Sequence, residues 1–313
     1  DQGRQRALAL HEDLEVRAPA QRLGTRLRPA PRGEEREDAA PRRLGQLDEL
    51  MSNYGKIDIL WMDFSYPSYT QKGDPEWFRG KGKDDWGSED LIRLVRSKQP
   101  DILINNRMDI EQDLFTPEDI ELDSFLTHKQ TGEKVVWELC NTLCGSWGYY
   151  RDEMHWKDND MILRLLISSV SKGGNLLLNV GPNGRGEIEK RAEERLLALG
   201  EWMRVNSRAI YSCTMAEEKY EAPFGTMLTE SQDGKRLYVH MFSYPNGLLL
   251  LRGLAGKVKY AQFLHDGSEI GMSEGAVRHF AEEGVTRDKD LLVCYLPQPK
   301  PSIPVPVIEL ILE

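Results

Sequence analysis

An apolar run, Ile57-Asp58-Ile59-Leu60-Trp61-Met62, ends on Asp63, with an indole two residues before the carboxylate. A carboxylate at the mouth of a sheet, beside an aromatic ring and within reach of carboxylates on later loops, suits glycoside hydrolysis by paired acids. The position alone is weak evidence, because an Asp after an apolar strand serves as often as a cap or turn residue. Other polar groups fall at corresponding places. Asn105, Asn106 and Arg107 follow a second apolar stretch, Glu138 a third and Asn179 a fourth.

These groups imply strands to carry them. The pattern predicts strands over 57–62, 101–105, 135–137 and 175–180, and helices over 46–55, 89–98, 160–171 and 187–206, with Gly55 and Pro100 as stops. Strands separated by helices imply right-handed βαβ units in a parallel sheet, and continuous apolar runs fit strands covered on both faces. Polar residues at the C-terminal strand ends then point to the C-terminal half of a (β/α)8 barrel, which gathers its active site there. An open doubly wound sheet is the alternative, but no phosphate-binding fingerprint follows the first strand. The loop Gly181-Pro182-Asn183-Gly184-Arg185-Gly186 resembles a phosphate cradle, yet Pro182 removes a donor and no Lys-Ser/Thr follows, so it reads as a shaped barrel loop. The charged run of the helix over 187–206 reads as a solvated face, with Leu196, Leu199 and Met203 inward. Beyond Tyr211 the runs shorten and alternate over 236–242, 247–251 and 257–264, separated by Asp-Gly and Asn-Gly turns. A small antiparallel β domain is expected, with a Pro-rich linker over 297–306 before a last strand over 307–312.

The chain has 313 residues, enough for one large α/β domain and a smaller one. A net charge of −10 argues against nucleic-acid or anionic-membrane partners, which call for clustered cations. No apolar run is long enough to span a bilayer. The four cysteines, Cys140, Cys144, Cys213 and Cys294, form no CxxC pair and read as free thiols; with scattered histidines, no metal site is expected. Residues 1–44 differ in style from the rest: up to Arg43 there is no Lys, Ile or aromatic residue, and ten arginines face eight acidic residues. This stretch reads as aberrant, translated out of frame until about Gly45, in preference to a disordered basic arm. The expected division is therefore residues 1–44, a partial barrel over 45–212 and a β domain over 213–313.

The blocks YGKIDILWMDFSYP, INNRMD, FTPEDIEL, WELCNTLCGSWGYYRDEMHW and SKGGNLLLNVGPNGRGEIEKRAEERLLALGEWMRVNSRAIY resemble, in this order, those of α-L-fucosidases of glycoside hydrolase family 29. The resemblance covers roughly residues 45 to 215. It implies a (β/α)8-like barrel followed by a β-sandwich, and a retaining exo-glycosidase that removes terminal α-linked fucose from glycans without metal or cofactor. Asp63 would be the nucleophile, Trp61 a wall of the sugar pocket, and Arg107 a partner of the sugar or of the nucleophile's charge. The acid/base would be Glu118 of the T-P-E block first, Glu138 second, with Glu111 and Glu121 in reserve. Trp61, Phe64, Trp137 or Trp147 would face the 6-methyl group of fucose, although Trp137 and Trp147 also read as core residues and Arg107 as a structural ion pair.

One departure from the family is plain. Family members carry a Trp-His-His stretch early in the barrel; Asp1-Gln2-Gly3 resembles its upstream flank, and arginine-rich text follows instead. The chain as written is therefore expected to lack full activity, with exposed sheet edges. Two further readings stand beside the first: a related glycosidase with a different glycone, and a non-catalytic carbohydrate-binding remnant. The absence of paired cysteines favours a cytoplasmic location; linkage preference and oligomeric state have no sequence signal.

Overall fold

The computed structural model describes residues 7–9, 34–63, 82–120, 122–128, 131–275 and 290–313, and the chain divides after Thr116 into two units. In the first, β1 (Ala7–Ala9) is followed by α1 (Glu34–Asn53), β2 (Ile59–Trp61), α2 (Lys83–Trp86), α3 (Ser88–Lys98), β3 (Leu103–Ile104) and β4 (Leu114–Phe115). The strands β1, β2 and β3 pair in parallel in that order, as βαβ connections require. The helix α1 runs through Pro41 and begins at Glu34, upstream of the boundary expected near Gly45.

The helix α3 forms because Leu91 and Val95 share one buried face, while Glu89 and Asp90 at its start and Arg96 and Lys98 at its end complement the helix dipole. Those apolar residues pack with Leu47, Met51, Leu60, Met62 and Ile104. Two polar side chains fasten the layers. Gln99 accepts from Ile57 N (2.8 Å) and donates to the carbonyls of Met51 and Gly55 (both 3.0 Å), closing the turn from α1 to β2. Asp113 pairs with Arg96 and accepts from Ile104 N at 2.9 Å, fixing β3 against α3.

The second unit opens with β5 (Leu126–Thr127), β6 (Lys134–Thr142), α4 (Asn159–Ser171), β7 (Asn175–Asn179), α5 (Lys190–Asn206) and a 3-10 turn, Ser207–Ala209. The pair β6 and β7 is parallel, running in register from Glu138↔Asn175 to Thr142↔Asn179. Asp158 caps α4, accepting from Met161 N at 2.8 Å. The strand β6 extends well past the expected 135–137, because Asn141 and Thr142, though polar, are buried and stay in the ladder. Gly173 and Gly174 let the chain re-enter the sheet closely. A Cβ on Gly174 would lie 2.3 Å from the Trp137 ring, and one on Gly173, whose φ is +81°, would lie 2.1 Å from that of Phe125.

Eight strands follow: β8 (Cys213–Met215), β9 (Thr226–Ser231), β10 (Arg236–Met241), β11 (Leu248–Arg252), β12 (Val258–Phe263), β13 (Gly271–Glu274), β14 (Leu291–Tyr295) and β15 (Val307–Leu312). They form a five-stranded sheet, β12-β15-β10-β9-β8, and a three-stranded sheet, β11-β14-β13. Leu237, Val239 and Met241 of β10 meet Leu249, Leu251 and Leu292 in one core, so the sheets make a sandwich. The Asp233-Gly234 turn joins β9 to β10 with Gly234 at φ +67°. On the other face of β10, Tyr238 packs with Leu163 and Ile167 of α4 and Trp202 of α5. His240 lies on that face too, fully buried, its Nε2 2.9 Å from Thr229 Oγ1. The Thr229 hydroxyl donates to the Ala209 carbonyl at 2.8 Å, so the ring carries its proton on Nε2, and Nδ1 has no partner among the described residues. Among the described residues no helix is long and apolar enough to cross a membrane.

Two stability measurements follow from this packing. Gly174→Ala drives a methyl into the Trp137 ring and is expected to lower the unfolding free energy by about 2 kcal/mol or more, read by urea denaturation; an unchanged midpoint would show that the ring moves aside freely. Burial pushes the His240 imidazole down to about 3 from the usual 6.5. Between those values the unfolded chain binds the proton and the folded chain does not, so stability is full above pH 6.5 and falls as pH drops toward 3. The loss between pH 7 and pH 5 should be about 2 kcal/mol, and His240→Gln should remove that part of the pH slope.

Candidate active site

The W-x-D spacing places two side chains on one side of a strand end. Leu60 and Met62 turn into the core, so alternation puts Trp61 and Asp63 together on the opposite face. Asn105 holds this end of the chain. The backbone ladder between β2 and β3 runs through Leu103 N to Asp58 O (2.9 Å) and Asn105 N to Leu60 O (3.3 Å). One step further, the buried Asn105 side chain continues it: Oδ1 accepts from Met62 N at 2.9 Å and Nδ2 donates to Met62 O at 2.8 Å. The residue before Asp63 is thereby tied at both backbone groups.

Arg107 joins the two members of the pair. Its Nη1 donates to Asp63 Oδ1 at 3.0 Å, and its guanidinium carbon stands 4.5 Å from the centre of the Trp61 ring. Only 14% of the Arg107 side chain and 22% of that of Asp63 are exposed, so the pair is screened less than a surface ion pair. Thr116 fixes the guanidinium plane, its hydroxyl accepting from Nε at 2.9 Å and its carbonyl from Nη2 at 3.2 Å. That hydroxyl donates in turn to Asn106 Oδ1 (3.1 Å), which also accepts Thr116 N at 2.9 Å. The arrangement presents an oriented carboxylate, paired with a guanidinium, next to an indole, as attack on an electrophilic sugar carbon requires. Sequence reasoning marked Asn105, Asn106 and Arg107 as strand-end residues but missed Thr116. Its signal was its place directly before the Pro-Glu of the T-P-E block.

In the second unit, Pro117–Asp119 lies along Cys140 of β6, with Cys140 N donating to Pro117 O (2.9 Å) and Asp119 N to Cys140 O (3.1 Å). Glu118 stands exposed on this segment, followed by Asp119 in the left-handed region at φ +56°. Two expectations need correction. Trp137 is 0% exposed, its ring against Gly174, so it is a core residue and cannot line a sugar pocket. Glu138 is not at a strand end: it lies inside β6, opposite Asn175, the first residue of β7, whereas the C-terminal ends of this pair carry Thr142 and Asn179. Glu111 is exposed in the loop between β3 and β4 of the first unit. Phe64 and Glu121 lie outside the described residues.

Trp147 is 40% exposed in the loop after β6, and its carbonyl accepts from Asn179 Nδ2 at 2.6 Å. That loop is organised by Glu153, which accepts from the Ser146 hydroxyl (2.6 Å) and His155 N (2.7 Å). These bonds, the Ser146 one foremost, hold its carboxyl below the usual range. Arg191 and Arg195 of α5 cover the Trp156 ring at 4.9 and 5.1 Å, and Arg191 also donates to the Glu153 carbonyl at 2.8 Å. Part of the helix face read as merely solvated therefore braces the loop. In the loop before α5, Asn183 Oδ1 accepts from Arg185 N (2.8 Å) and Glu187 N (3.1 Å), so these amides are already occupied and the stretch is no phosphate cradle. Among the described residues no cluster of three His, Cys, Asp or Glu could hold a metal ion.

A family model described as alpha-L-fucosidase matches residues 30–208, beginning upstream of the expected boundary at Gly45. The tissue alpha-L-fucosidase of Rattus norvegicus is 41% identical over 178 residues, which are 53% of this chain and 34% of that protein. Among solved structures, alpha-L-fucosidase isoenzyme 1 from Paenibacillus thiaminolyticus is 32% identical with a TM-score of 0.76, covering 90% of this chain and 64% of that one. The Thermotoga maritima alpha-fucosidase in complex with a mechanism based inhibitor is 25% identical with a TM-score of 0.64, covering 87% and 56%. The fold class expected from sequence, part of a (β/α)8 barrel followed by a β-sandwich, is that of these structures. The chain spans less than half the length of the curated relatives it matches. Because the family match covers more than half of its residues and the solved structures share its fold, this chain belongs to the alpha-L-fucosidase family.

Proposed function

We propose that the protein is a retaining exo-glycosidase that removes terminal α-L-fucose from fucosylated oligosaccharides or glycoconjugates. The observation that carries this reading is the Asp63 carboxylate, held at 3.0 Å by Arg107 beside the Trp61 ring in a chain of this family. Asp63 attacks the anomeric carbon as the glycosidic bond breaks, giving a covalent fucosyl-enzyme, while Glu118 gives its proton to the leaving oxygen. Glu118 then takes a proton from water, which displaces Asp63 and releases fucose with its α configuration retained. This mechanism calls for the two carboxyl groups to stand about 5–5.5 Å apart and for no metal or cofactor. Arg107 pairs with the nucleophile and orients it, and Trp61 gives the sugar an apolar wall.

The test is hydrolysis of nitrophenyl α-L-fucoside beside a panel of other nitrophenyl glycosides. Asp63→Gly is expected to lower kcat on the order of 10⁴-fold, with azide restoring turnover as the β-configured fucosyl azide. Glu118→Ala should lose roughly 10²- to 10⁴-fold on poor leaving groups and far less on nitrophenolate; preference for another glycone, or activity indifferent to Asp63, would sink the reading. Thr116→Val keeps the side-chain shape but removes the hydroxyl between Arg107 and Asn106. A fall in kcat/KM of roughly ten- to a hundredfold, with little change in melting temperature, is expected. Unaltered kinetics would mean that Arg107 is positioned without it.

A further inference from the structure

The sandwich of the second unit carries a cleft of about 510 Å³ where the β9–β10 hairpin meets the 3-10 turn and the chain after it. Its size falls within the roughly 300–1,000 Å³ of small-molecule sites. We propose that this cleft is a binding site for neutral oligosaccharides, built from none of the candidate active-site residues and independent of the fucosidase reading.

The argument begins with Tyr211, whose side chain lines the cleft, is 70% exposed and has no ring or hydrogen-bond partner among the described residues. An exposed aromatic face is the surface on which the C–H face of a sugar ring stacks. Behind it, two guanidinium groups are set in place by one buried acid. Glu309, 1% exposed, pairs with Arg208 Nη2 at 3.0 Å and with Arg236 Nε at 3.3 Å, and it accepts from Gln262 Nε2 at 2.6 Å. Each arginine uses one N–H group on Glu309, and its remaining donors keep a fixed fork geometry suited to adjacent hydroxyls. Asp233 supplies the complementary acceptor, its Oδ1 held by the Ser231 hydroxyl (2.6 Å) and Lys235 N (3.1 Å).

The frame around these groups is rigid. Ser212, next to Tyr211, sits in the left-handed region at φ +58°, and its carbonyl accepts from Gln232 N at 2.9 Å, so the hairpin turn and the 211–212 segment are tied together. Ser212 and Gln232 border the same cleft. Charge decides between ligand classes. Arg208 and Arg236 are balanced by Asp233 and Glu309, so the cleft offers no net attraction to an anion, while its mixed donors and acceptors match a polyol. Phosphate or sulfate would meet a carboxylate at the rim.

The test is ¹H–¹⁵N NMR of the full chain, titrated with lactose as the neutral probe and inorganic phosphate as the anionic one. Lactose is expected to shift the amides of Tyr211, Ser212, Gln232 and Asp233 and the Nε–H of Arg208 and Arg236. Tyr211→Ala and Gln232→Ala, both at exposed positions, should weaken binding roughly three- to tenfold each without changing the melting temperature. The proposal is overturned if lactose shifts only resonances near Asp63 and Arg107, if phosphate binds the cleft and lactose does not, or if the Tyr211→Ala variant binds as the parent does.

Discussion

The amide of Asn105 does what a strand residue would otherwise do. A parallel pair needs both backbone groups of each residue satisfied, and at the end of β2 the partner strand has already turned away; the Asn105 side chain closes both groups of Met62 instead. Leaving those groups buried and unpaired would cost about 1–3 kcal/mol each, so this side chain is under strong constraint. The direction of the next residue, Asp63, follows from it. The same strand end also fixes Arg107, two residues after Asn105, and through Arg107 the line Asp63, Thr116, Asn106. One buried amide thus sets the backbone on which a carboxylate, a guanidinium and an indole converge.

Much of this was legible in the sequence, for a reason that belongs to strands in general. Buried Leu60 and Met62 alternate with Trp61 and Asp63, and period-two alternation needs no tertiary information to assign faces. The last strand was legible to the residue, β15 running Val307–Leu312, because its largely apolar run starts directly after Pro306. What failed were inferences from polarity. Glu138 reads as a strand end because a charge follows Val-Val-Trp, yet β6 continues through Asn141 and Thr142, whose backbones pair with β7 while their side chains stay buried. Trp137 reads as a pocket wall because aromatic residues serve that purpose. Only the close approach of Gly174 shows that its ring is inside, and the sequence carries that contact merely as a Gly-Gly pair.

The sandwich shows why β10 tolerates polar residues in a doubly covered strand. Its odd positions, Leu237, Val239 and Met241, fill the space between the sheets, while Tyr238 and His240 face the other side, where Tyr238 packs with α4 and α5. A doubly buried strand would usually be apolar throughout. Here polar partners offset part of the cost of burial: Thr229 for Nε2 of His240 and Glu309 for Tyr238, whose hydroxyl lies 3.4 Å from the carboxylate. The compensation at His240 holds only for the neutral ring, which makes this face sensitive to acid as hydrophobic packing alone would not be.

Charged side chains outside the candidate site follow a common logic. Arg191 and Arg195 cover Trp156 and bind carbonyls of the loop that Glu153 organises, Arg96 and Asp113 lock β3, and Arg208 and Arg236 are held by Glu309. Arg191 and Arg195 use the stacking face of the guanidinium as much as its charge, and Arg96 spreads its donors over Asp113 and the Ile102 carbonyl, roles lysine fills poorly. Helical periodicity assigns such residues to a solvated face because it registers only where apolar groups go. The arginine geometry belongs to tertiary structure, which is why the bracing of the loop after β6 through Trp156 could not be read from spacing. The residues that orient Asp63 and Arg107 are therefore found one layer behind those that sequence blocks identify, in Asn105 and Thr116, and in the second unit Glu153 does the same for its loop; at all three, hydrogen-bond capacity and burial coincide.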